Sequence, residues 1–216
     1  MMFLIDWSSP DCVLFCDSTL VGCGGICNGR YFHTVFPAFI RRKQLHINAL
    51  ELLCGMECLK VWASVLDGSK IVIYYDNSSS VTVLNSGACR NAFMQSCLRE
   101  ICFLTASHEF QVKGRHLSGE ANRVADMLSR WDMDPGISTE FLKQARINSW
   151  TEIELLGDFL FILFIVDTQL RKLQKDTELC KKSAFAEGTY KNLKVQFVSY
   201  FLFCTYFNMS PLPILL

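Results

Sequence analysis

The sequence predicts an α/β fold: a mixed five-stranded sheet flanked by helices, followed by a helical C-terminal region. Two observations carry this reading. Three short apolar runs stand at hairpin spacing near the N-terminus, and beyond residue 48 helical periods alternate with strand-like runs, in the order βββαβααβα. A meander followed by strands set between helices implies a sheet covered on its faces.

Taken in order, CVLFC (12–16) is an apolar run that ends at Asp17, and the glycine-rich VGCGGICNG (21–29) reads as a turn and a second strand. YFHTVF (31–36) alternates as a third. From Asn48, Leu50, Leu53, Met56, Leu59 and Trp62 recur at steps of three and four, with Cys54 and Cys58 beside them, so a helix runs on toward Asp67-Gly68. KIVIYYDN (70–77) is a buried strand stopping at an acid, and SSSVTVLNSG (78–87) is a short helix opened by Asn77 or Ser78. A helix over about 91–106 sets Phe93, Cys97, Leu98, Ile101 and Leu104 on one face; HEFQVKG (108–114) is a last strand and EANRVADMLSR (120–130) a last helix. DMDPGIST (132–139) then has the Asp, Pro, Gly and Ser of a linker. The first domain is therefore expected over 11–131, with a linker and poorly defined helical segment over 132–182.

Half of the 216 residues are apolar, ample for a core, and 21 basic residues balance 21 acidic ones. No global field favours a polyanion, so any such site must be local. The eleven Cys show no paired CxxC spacing, and MMFLI at the start lacks a basic n-region. Reduced thiols in an intracellular protein, cytoplasmic or nuclear, are the expectation. LLGDFLFILFIV (155–166) carries Asp158 and falls short of the roughly 18 apolar residues a membrane span needs, so no membrane association is expected.

Four acids occupy unusual places: Asp17 at the end of the first strand, Glu51 in the first turn of the long helix, Asp76 at the end of a parallel-type strand, and Asp126 inside the last helix. Each has a plain structural reading. Asp17 fits a turn with Ser18, Asp76 a helix N-terminus, Asn48-Ala-Leu-Glu51 a capping box, and Asp126 a polar helix face. Together they suggest convergence, because carboxylates at the ends of central strands lie beside the core and repel one another unless cations intervene. Hard divalent ions, Mg²⁺ or Mn²⁺, suit such oxygen ligands.

With a GCGG second strand after Asp17, Glu51 in INALELL, Asp76 in VIYYDN, and RHLSGEANRVADMLSR, the chain resembles type 1 ribonuclease H over roughly residues 11–131. More closely it resembles that domain of DIRS-like retrotransposons, which encode a tyrosine recombinase; LELL, YDN and N-x-x-AD-x-LSR carry the closer likeness. The resemblance implies an endonuclease that hydrolyses the RNA strand of RNA/DNA hybrids. It implies Asp17, Glu51, Asp76 and Asp126 as ligands of two Mg²⁺ ions, His116 as a loop residue assisting product departure, and Ser18, Asn48, Asn77 and Asn122 as substrate-binding residues. For Asn48 a helix cap is an equally good account. Arg41, Arg42 and Lys43 form the dense basic run of this domain, readable as a phosphate contact or a solvated face.

The segment between Asp76 and Asp126 is short and lacks the Lys- and Arg-rich helix and loop of the cellular enzymes, which implies that an attached reverse transcriptase helps to hold the hybrid. Nothing in the chain resembles a polymerase palm. Residues 183–216 resemble, more weakly, the start of a tyrosine recombinase's helical core-binding domain, with Leu193, Phe197, Tyr200 (or Phe201) and Cys204 on one stripe. No recombinase catalytic Arg, His or Tyr region follows, so recombination is not expected. Two functions stand: a hybrid endonuclease inside a retroelement polyprotein fragment, or a catalytically inactive relic or domesticated nucleic-acid-binding protein. Other nucleases and integrases share such a sheet and its acids; the helix Glu and the His before the last helix favour the hybrid nuclease among them.

Overall fold

The computed structural model describes residues 7–155. Three antiparallel strands, β1 (Cys12–Ser18), β2 (Gly22–Cys27) and β3 (Arg30–Val35), lead through a short helix α1 (Ala38–Arg41) to α2 (Ile47–Trp62). Then follow β4 (Lys70–Tyr75), α3 (Ser78–Ser86), α4 (Ala92–Ser107), β5 (Gln111–His116), α5 (Arg123–Ser129), α6 (Pro135–Ile147) and β6 (Thr151–Glu152). The sheet runs β5-β4-β1-β2-β3-β6, with β4 parallel to both β1 and β5. The mixed sheet flanked by helices is thus observed, with six strands rather than five; α1 and the two-residue β6 were too short to leave a period in the sequence.

The helix α2 is buried nearly all round, from Ala49 through Lys60. The expected stripe of Leu50, Leu53, Met56, Leu59 and Trp62 lies in the core, and α4 packs across α2 through Cys97, Leu98, Ile101 and Leu104, with Met94 rather than Phe93 buried. Burying Lys60 would be costly alone; Glu57 at 3.7 Å and Glu100 of α4 at 3.9 Å compensate it and tie the two helices.

The opposite face is closed by α5 and α6. Here Ile26, Tyr31, Met127, Leu128, Phe141 and Ala145 form a second cluster, with Phe15, Trp131 and Trp150 packed against it. The glycines of GCGG let helices close on β2 from both sides. A Cβ on Gly24 would stand 2.5 Å from Leu128 Cβ of α5, and one on Gly25 would collide with Cys58 Sγ of α2.

The boundary expected near residue 131 does not hold. Trp131 stacks on His33 at 3.9 Å and meets Phe141 edge-on, and β6 pairs with β3. The Asp-Pro-Gly read as a linker is a helix start: the Asp134 side chain accepts from Gly136 N, and Pro135 occupies the first turn, where its missing N–H costs nothing. Among the described residues no helix is long and apolar enough to cross a membrane, and nine cysteines are free. The remainder of the expected linker, 156–182, and the recombinase-like segment, 183–216, lie outside the described residues.

Candidate metal centre

Because β1 and β4 are parallel neighbours, their C-terminal ends open side by side, and α2 begins above them. These three elements bring Asp17, Glu51 and Asp76 together, with a carboxylate oxygen of each within 4.8 Å of the others. They line a cleft of about 1080 Å³ that also takes in the turn after β1 (Thr19, Leu20, Val21), the approach to α2 (Leu45, His46, Ile47), and Asp126, Arg130 and Met133.

Asp17 and Glu51 are buried, while Asp76 is exposed at the mouth. Burial, with Asp76 and Asp126 adding repulsion, pushes the Asp17 carboxyl up to about 7 even though the Ser129 hydroxyl donates to its Oδ2. Burial and the nearby Asp17 push Glu51 up to about 10. Ser18 N donates to Glu51 Oε1 at 3.2 Å, but Glu51 Oε2 is buried with no hydrogen-bond partner. A buried carboxylate oxygen without a donor is costly. Three carboxylates converging here, one of them with an unsatisfied oxygen, fit a hard divalent cation, whose charge would reverse both shifts.

The capping box expected at Asn48 does not form. His46 caps α2, its Nδ1 accepting from Asn48 N at 3.3 Å, so Glu51 lies one turn in and turns toward β1. Asn77 caps α3, accepting from Ser79 N and Ser80 N, while its Nδ2 donates to Asn48 Oδ1 at 2.9 Å. The bridge joins the helix carrying Glu51 to the helix that follows Asp76. Asn77 and Ser18 line the cleft, and Ser18 Oγ is buried without a partner; Asn48 does not line it.

Asp126 lies on the cleft wall outside the close trio, and its Oδ1 takes a hydrogen bond from Arg130 Nε at 2.6 Å, one turn along α5. That bond holds the Arg130 guanidinium above its ordinary value. Asn122, expected to face substrate, is instead 2% exposed and donates from Nδ2 to Cys16 O at 3.0 Å. It fastens the start of α5 to β1. His116 is not in a loop: parallel pairing continues to Tyr75↔His116, which makes it the last residue of β5, and its Nε2 donates to Asp76 O at 3.1 Å. Arg41 and Arg42 are exposed and do not line the cleft.

Sequence reasoning missed His46, Ser129 and Arg130. For the last two a signal existed: they stand three and four residues after Asp126, one helical turn on, in the quoted ADMLSR. His46 left none, since its capping role depends on where the helix starts.

No family model matches the sequence, and no curated protein matches it. Among solved structures, the chain is similar to ribonuclease H1 from the halophilic archaeon Halobacterium salinarum NRC-1. The two share 14% identity with a TM-score of 0.44, over 54% of this chain and 92% of that one.

Proposed function

We propose that this chain is an endonuclease acting on the RNA strand of RNA/DNA hybrids, belonging to a tyrosine-recombinase-encoding retroelement. The observation that carries the chemistry is Glu51, a buried carboxyl with one unpartnered oxygen, grouped with Asp17 and Asp76 in an open cleft. The donor set suits Mg²⁺, with Mn²⁺ as a substitute. Bound there, two divalent ions would activate a water for attack on a phosphodiester and stabilise the departing oxygen.

The chain's own residues fix the geometry. Ser129 and the Ser18 amide hold Asp17 and Glu51, and the Asn48–Asn77 bridge sets α2 against the strand end that bears Asp76. Asp126, on the cleft wall, would be the fourth ligand if it exchanged Arg130 for the cation, and the Arg130 guanidinium on the same wall would then be available to a phosphate. Ser18 and Asn77 offer polar groups to the 2′-hydroxyls that mark RNA in a shallow minor groove. His116 is assigned to product departure from its place beside Asp76. Among the described residues Arg130 is the single Lys or Arg on the cleft wall, and an attached reverse transcriptase or similar partner would supply further phosphate contacts.

One observation favours the non-catalytic alternative: Asp126 is already committed to Arg130. The test is to incubate the chain and Mg²⁺ with a hybrid labelled on either strand, beside duplex DNA. Cleavage confined to the RNA strand of the hybrid is expected. Hybrid binding without cleavage in Mg²⁺ or Mn²⁺ would end the nuclease reading and leave the binding protein.

A further inference from the structure

We propose that Cys16, Cys54 and Cys58 form a second metal site, for a thiophilic d10 cation of which zinc(II) is the reference, on the core side of the carboxylate cleft. The three Sγ atoms lie within 4.8 Å of one another, and each residue is 0% exposed. Three thiolates bound about 2.3 Å from one ion lie about 4 Å apart. The cluster can therefore close on a cation through small side-chain movements.

Its placement follows from two elements. Cys54 and Cys58 stand at i and i+4 on the face of α2 that meets the sheet, and Cys16 rises from β1 toward that face. Gly25 permits the approach, because any side chain there would displace Cys58 Sγ. Cys23 of β2 is also fully buried, next to Gly24, whose carbonyl accepts from Cys54 Sγ at 3.4 Å, and is the candidate fourth sulfur. Lone buried thiols behave as small hydrophobes. Here three of them converge, and Cys54 Sγ lies in donor reach of two backbone carbonyls, Asp17 O at 3.2 Å and Gly24 O at 3.4 Å.

A second observation points to a ligand. Tyr75 Oη is buried without a hydrogen-bond partner and rests on Gly55, between the two helix cysteines. Gly55 directly follows Cys54, so the phenol lies beside the stretch of α2 that carries both thiols. A neutral thiol is a weak acceptor, whereas a thiolate carries the charge that makes a hydrogen bond strong. Metal binding would thus satisfy the phenol. Each ligating thiol releases its proton to solvent and no electron moves. Soft sulfur excludes Mg²⁺ in favour of zinc-like ions, while the cleft's carboxylates prefer the reverse. With no exposed ligand, loading accompanies folding. None of this depends on the nuclease reading.

The test is to refold the full chain under reducing conditions with zinc(II), and separately with cobalt(II). The zinc X-ray absorption edge should show a shell of at least three sulfurs at about 2.3 Å, and cobalt should give thiolate charge-transfer bands at about one equivalent per chain. Those bands should be lost in Cys54→Ala and kept in Cys97→Ala, with far-UV circular dichroism reporting the fold of each. An oxygen-only zinc shell, no cobalt–thiolate band in the folded parent, or full bands in folded Cys54→Ala would overturn the site. The sulfur count on the parent decides even if Cys54→Ala does not fold.

Discussion

At the scale of single residues, the cleft is governed by carboxyls that burial keeps protonated. Asp17 is pushed up to about 7 and Glu51 to about 10, against unfolded values near about 4. Below pH 4 both states hold these protons. As pH rises further, the unfolded chain releases them while the folded chain retains them, so stability is lost progressively through pH 7 and on toward 10. Without divalent cations, Glu51→Gln is therefore expected to raise the unfolding free energy at pH 8, measured by urea, by about 1 kcal/mol or more. Mg²⁺ should restore stability to the parent and do little for the variant. A metal-free parent that gains stability from pH 5 to pH 8 would contradict this. Asn122 shows why residue roles were only partly legible. Its offset from Asp126 was correct for a shared helix, but the chain enters α5 there, and the side chain turns into β1.

At the scale of elements, long helices and apolar strands were readable because burial imposes a strong period over many residues. The acids at the ends of β1 and β4 were legible for the same reason: a charge that stops an apolar run marks a strand end. What failed were features set by neighbours. The linker at 132–139 is the capped start of α6, and the packing of Phe141 against Tyr31, at 4.7 Å, and Trp131, at 5.6 Å, with the pairing of β6 to β3, shows that it belongs to the sheet. Phe141→Ala is expected to destabilise the chain by about 3–5 kcal/mol, measured by urea unfolding. If residues 132–155 were only a linker, the change would be negligible. Gly24→Ala tests the other close approach. Its Cβ would stand 2.5 Å from Leu128 Cβ and 3.0 Å from Phe32 O, so α5 must move outward. A cost of about 1–3 kcal/mol is expected, together with weakened cation binding as Ser129 withdraws from Asp17; unchanged values of both would refute the contact.

At the scale of the whole molecule, a zero net charge supplies no global field, so a polyanion must be met by a local arrangement. A parallel strand pair aims two acids at one opening, a buried helix adds a third, and α5 closes the wall with Asp126. The most direct test is a Mn²⁺ titration of the parent and Glu51→Gln at pH 8, counting free ion by electron paramagnetic resonance. The parent should bind Mn²⁺ saturably, up to two ions, with about tenfold or greater loss of affinity in the variant, equivalent to about 1.4 kcal/mol. Equal affinities in the two proteins would contradict a metal site built on these carboxylates.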